Sequence, residues 1–248
     1  MSYLLKNWLN FKKSIENIVL FLIMLFFCNR KLMFDKEKYR EIRDFLKKTN
    51  NNTKIIAISK NHPKESVVEA INEGVRIFGE NRVLEAKNKF EDLKRENNQI
   101  ELHLTGPLQS NKVKLATLIF DVFHTLDREK IAIEFSKNKD NLKNKKIFIQ
   151  VNTGEEKTKS GIFAKDLSEF LNFCENDMHL KINGLMCIPP FEDDPRLHFN
   201  ILRELAKQNK LNELSIGMSN DYKIALEYNP TYIRLGTILF GKRNWREK

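Results

Sequence analysis

Short apolar or β-branched runs recur along the chain at 54–59 (KIIAIS), 75–79 (VRIFG), 100–105 (IELHLT), 120–126 (FDVFHTL), 146–151 (KIFIQV), 182–188 (INGLMCI), 213–217 (ELSIG) and 232–240 (YIRLGTILF). Between them apolar residues fall at helical spacing, as in Val67, Val68 and Ile71, or Val83, Leu84, Phe90 and Leu93. Strands separated by helices pair in parallel through right-handed crossovers. Eight such units follow one leading helix over about 36–48, with no linker rich in Pro, Gly or Ser between them. The pattern predicts an α/β chain folded as a single (β/α)8 TIM barrel. An open doubly wound sheet is the runner-up, but its Gly-rich first turn is missing, and neither G-x-G-x-x-G nor a P-loop occurs.

Residues 1–34 stand apart from this rhythm. The apolar run 18–28 (IVLFLIMLFFC) follows Lys6, Lys12 and Lys13 and precedes Arg30 and Lys31. It is shorter than the ~20 residues of a spanning helix. It has the length of a signal-peptide h-region, yet no small-x-small cleavage site follows. An uncleaved anchor, a targeting extension and a true start at Met33 are the open readings. The barrel is expected over 35–248, and membrane attachment only if residues 1–32 are retained.

The charge narrows the function by exclusion. Lys and Arg number 43 against 33 Asp and Glu, a net +10, but the excess is mostly Lys scattered beside Asn. No clustered Arg face or basic-aromatic motif marks a nucleic-acid partner. The three cysteines, Cys28, Cys174 and Cys187, form neither a disulfide framework nor a metal-ligand spacing.

A barrel places its chemistry at the C-terminal ends of the strands. Lys60 closes the first run, where partial burial would lower an amine's pKa and prepare it for carbonyl chemistry, although a lone Lys after a strand is ordinarily a solvated loop residue. Ser219 and Asn220 close the seventh run, and Gly236 and Thr237 lie in the eighth, the usual phosphate loops of this fold. Ser219 could equally be a plain N-cap, and Gly217 and Gly236 could serve tight turns. Arg234 interrupts an apolar strand and must face a partner, because an unpaired buried guanidinium is costly. Glu80 and Asn81 either line the mouth or cap the next helix. His103 reads as a packed strand histidine, while His124 is balanced between packing and chemistry. Lysine, phosphate cradle and inward arginine together suit a phosphorylated carbonyl ligand, and pyridoxal phosphate fits.

The stretches AISKNHPKE (57–65), FGENRVLEAKNK (78–89), LHLTGPLQSNKVK (102–114), QVNTGEEKTKSGI (150–162), INGLMCIPP (182–190), LSIGMSNDYKIALE (214–227) and IRLGTILFGKR (233–243) resemble the pyridoxal phosphate homeostasis proteins. These share the barrel of the alanine racemase N-terminal domain. The resemblance implies that Lys60 forms the internal aldimine with pyridoxal 5′-phosphate. It implies that Ser219, Gly236 and Thr237 bind the phosphate, that Arg234 faces the pyridine nitrogen, and that Asn81 and Met186 lie near the cofactor. Gly106-Pro107 and the Cys187-Ile188-Pro189-Pro190 turn depart from the family's usual loops without removing a matched ligand. The implied role is cytoplasmic cofactor homeostasis by a monomer that supplies apoenzymes. An amino-acid racemase or lyase is the alternative, disfavoured because the chain ends after the barrel with no second catalytic domain.

Overall fold

The computed structural model describes residues 34–49 and 51–241, so the expectations for residues 1–32 and Cys28 lie outside the described residues. Helix α1 (Lys36–Lys48) starts at Asp35, whose carboxylate accepts the Lys38 N–H at 2.8 Å. Then follow β1 (Lys54–Ile58), α2 (Lys64–Asn72), β2 (Ile77–Glu80), α3 (Val83–Glu96), β3 (Glu101–Leu104), α4 (Val113–Ile119), β4 (Val122–Leu126), α5 (Glu129–Lys137) and β5 (Lys146–Asn152). The second half runs β6 (Ile162–Phe163), α6 (Leu167–Asn172), β7 (Gly184–Cys187), α7 (Pro195–Gln208), β8 (Glu213–Met218), α8 (Tyr222–Ala225), β9 (Tyr232–Leu235) and α9 (Thr237–Phe240).

The sheet order is β4-β3-β2-β1-β9-β8-β7-β5-β6, and an added β4–β5 pairing closes the ring. All pairings are parallel. The expected closed barrel is therefore present, with β6 as a two-residue strand outside the ring, unforeseen because it is too short to show a period. The final apolar run also divides differently from expectation. Only Tyr232–Leu235 is strand, and Gly236 and Thr237 begin a helical turn instead of lying inside the strand.

Strands buried on both faces read as unbroken apolar runs, as in β5, where only Lys146 is not fully buried. Inside the ring Ile56, Val122, Phe148, Met186 and Tyr232 pack as a layer, joined by Ile58 and Ile77. His103 and His124 stack within it at 5.0 Å between centroids, and His124 lies flat on Phe148 at 4.8 Å. Outside the ring the helices bury a second core, including Val67, Ala86, Phe90, Ile131, Phe135 and Leu202. The ends of the fold meet where the Asp35 N–H donates to the Leu239 carbonyl and Phe34 packs on Phe240.

Candidate functional site at the barrel mouth

Lys60 follows β1, which lies between β2 and β9 in the ring, with β8 beyond β9. Strand β1 pairs with β2 on one side (Ile58 opposite Gly79) and with β9 on the other (Ala57 opposite Leu235). Beyond Ile58 the chain leaves the sheet through buried Ser59, and Lys60 follows in a turn, half-buried. Asn61 then adopts φ 62°, a left-handed conformation that asparagine tolerates better than most residues.

On the β8–β9 side the Ser219 hydroxyl joins two loops. Its Oγ accepts from the Gly236 N–H at 3.2 Å and the Ile238 N–H at 3.4 Å. Ser219 is not an N-cap, because Asp221 holds that position for α8. Gly217 does serve a tight turn, with φ +87° and a would-be Cβ only 2.6 Å from the Ala225 Cβ. Gly236 differs. A Cβ there would meet Ile58 at an ordinary 3.5 Å, so crowding does not demand glycine. Thr237 is exposed beside it.

Arg234 points inward one layer below. Its guanidinium donates to the Ser215 carbonyl at 2.6 Å, the Ser215 hydroxyl at 2.9 Å and the Cys187 carbonyl at 2.9 Å. Its exposure is 4%, and among the described residues no carboxylate pairs with it. Burial pushes its pKa below the ordinary guanidinium value, with the approach of Cys187 and Asp221 acting the other way. Met186, fully buried in the interior layer, forms part of the floor.

On the β2 side Asn81 accepts from the Thr105 hydroxyl at 3.0 Å. A Cβ on Gly106 would come within 2.6 Å of the Asn81 Cβ, so glycine lets the β3 loop pass Asn81 closely. Asn81, Thr105, Gly106, Gln150, Lys159 and Ile188 help line a cleft of about 280 Å³. Glu80 does neither of the things expected of it. It points away from the mouth, fully buried, and Arg82 holds the N-cap position of helix α3, with no side-chain cap. Its Oε1 accepts from the Ser59 hydroxyl at 2.7 Å and the Lys89 ammonium at 2.8 Å. Burial raises its carboxyl pKa, outweighing the lowering effects of Lys89 and Ser59.

The two strand histidines are structural neighbours below the mouth. Glu101 Oε1 lies 2.6 Å from His103 Nε2, and His103 Nδ1 lies 2.8 Å from His124 Nε2. Both rings are fully buried, which resolves His124 toward packing and keeps each pKa below the usual histidine value. Ser59 closes the first run beside Lys60, and Ser215, Glu85 and Lys89 are the participants that strand-end reasoning missed. Lys89 carried a readable signal: it sits among buried Ala86, Phe90 and Leu93 on the apolar face of α3.

Residues 36–244 match the family model of the alanine racemase N-terminal domain. A pyridoxal phosphate homeostasis protein of Aquifex aeolicus (strain VF5) is 38% identical over 206 residues, covering 79% of this chain and 89% of that protein. Among solved structures, PipY of Synechococcus elongatus PCC7942 without PLP aligns with a TM-score of 0.75 at 34% identity, covering 83% of this chain and 99% of PipY. PipY with PLP bound gives a TM-score of 0.73 at 33% identity and the same coverage.

Proposed function

The chain belongs to the pyridoxal phosphate homeostasis proteins, within the alanine racemase N-terminal domain family, and from that membership we propose that it binds pyridoxal 5′-phosphate at the barrel mouth and serves the homeostasis of that cofactor. When bound, the cofactor supplies an aldehyde that combines reversibly with amines and a ring that withdraws electrons.

In this reading Lys60 provides the amine that holds the aldehyde carbon. Ser219 and the backbone at Gly236 and Thr237 take the phosphate, for which N–H and hydroxyl donors are suited. Arg234 offers a donor-only guanidinium toward the ring nitrogen, and a nitrogen that accepts from it carries no proton. That arrangement restrains electron withdrawal, which suits holding the cofactor more than transforming amino acids. Asn81 borders the ring, and Met186 lies beneath it. The protein is read as a cytoplasmic monomer that stores the cofactor and yields it to apoenzymes.

One observation carries the reading. Among the described residues Arg234 is a buried cation held by two carbonyls and a hydroxyl, below the strand ends that bear Lys60, Ser219 and Gly236. At most three of its five N–H donors are engaged by these bonds, so it fits an acceptor at the mouth.

The test is titration of the full chain with pyridoxal phosphate, followed by visible absorbance and by peptide mass after borohydride reduction. The expected result is a yellow band and a reduced cofactor adduct on the peptide carrying Lys60, both lost in Lys60→Ala. A band that persists unchanged in Lys60→Ala overturns the assignment of the anchor.

A further inference from the structure

The two peptide units that flank Lys60 are tied to one buried charge cluster on the outer side of the barrel wall. The peptide before Lys60 offers the Ser59 carbonyl, which accepts from Lys89 Nζ at 2.8 Å. The peptide after it offers the Asn61 N–H, which donates to Glu85 Oε1 at 2.7 Å. Lys89 closes the circuit, donating to that same Glu85 oxygen at 3.1 Å and to Glu80 Oε1 at 2.8 Å. Its three N–H donors are thereby matched to three acceptors. The Lys89 side chain is 7% exposed and that of Glu80 is 0% exposed.

Packing alone gives no reason for a lysine at this position. Its neighbours on the buried face of α3 are Ala86, Phe90 and Leu93, and an aliphatic side chain there avoids the desolvation of an ammonium and a carboxylate. What an aliphatic side chain cannot do is hold a carbonyl and orient a carboxylate toward a backbone N–H. The turn it restrains also contains Asn61 at φ 62°, a conformation that needs support from its surroundings.

We propose that Lys89 is a positioning residue for Lys60: together with Glu80 and Glu85 it clamps both flanking peptides and so aims the Lys60 amine into the barrel mouth. The proposal rests on the reading of Lys60 as the anchor.

The experiment compares two ligands on the full chain: pyridoxal 5′-phosphate, which Lys60 can hold covalently, and pyridoxine 5′-phosphate, which has the same ring and phosphate but no aldehyde. Parent, Lys60→Ala and Lys89→Met are titrated with each, alongside Glu80→Gln/Lys89→Met, which leaves no buried carboxylate without its cation. The parent is expected to prefer the aldehyde ligand, and Lys60→Ala to lose that preference. Lys89→Met and the double variant are expected to lose roughly tenfold or more of the preference, as misplacement of a reacting group does, with pyridoxine phosphate binding unchanged. Glu85→Gln, at a partly exposed carboxylate whose amide replacement keeps an acceptor oxygen, is expected to show a smaller loss in the same direction. A preference kept intact in Lys89→Met, or equal losses for both ligands, overturns the clamp while leaving the anchor standing. A parent that binds both ligands alike overturns the anchor, and the clamp with it.

Discussion

A thiol attacks only as a thiolate, and burial keeps Cys187 and Cys174 from that state by raising each pKa to about 12. Cys187 borders the mouth through its carbonyl, which Arg234 holds, and its fully buried side chain belongs to the core between the ring and the helices. Native protein at neutral pH should therefore leave both residues unmodified by iodoacetamide. Peptide mass should report labelling of each only after unfolding in denaturant. At this scale the sequence is informative where a residue offends its surroundings. Arg234 in an apolar strand and Lys60 at a strand end stood out for that reason. Lys89 offends equally, on the buried stripe of a helix, but lysine is so common on helix surfaces that a single such position carries little weight in a sequence. Serine gives no such sign, and only the fold reveals that Ser215 and Ser219 join separate segments.

The elements were legible through their periods. The ring strands and their helices lie where apolar runs and helical spacing put them, because a parallel barrel buries both faces of each strand. The run 232–240 shows the limit of that signal. A continuous apolar stretch is the same in composition whether it is strand or buried helix, and the break after Leu235 is made by tertiary hydrogen bonds from Gly236 and Ile238 to Ser219. Pairing between strands sets a stricter demand at Gly184, opposite Glu213 in β8. A Cβ there would lie 2.0 Å from the Glu213 carbonyl oxygen, a backbone atom that cannot move without breaking the register. Gly184→Ala is predicted to destabilise the protein by at least about 2 kcal/mol, read as a lower urea midpoint. Gly74→Ala, where a Cβ meets nothing within 4 Å but φ is +87°, should cost less.

Across the whole molecule, the interior of the ring holds an unusual amount of titratable material. His103 and His124 are kept neutral by burial, with their pKa values pushed below 6.5. As pH falls through 6.5 the unfolded chain takes up these protons first, so their contribution to stability is complete above that value and is lost progressively below it. Glu80 and Asp127, whose pKa values burial raises, act with the opposite sign in their own range. Urea midpoints at pH 7.5, 6.5 and 5.5 should therefore decline toward acid, and His124→Phe should make the decline shallower. The same stack has a second consequence, for traffic. Phe148, Met186, Tyr232 and the paired imidazoles are buried and packed together across the ring beneath the mouth, a floor that acts as a shelf. On the proposed function, a cofactor resting on that shelf leaves by the route it entered, and its residence is expected to follow the strength of its link to Lys60.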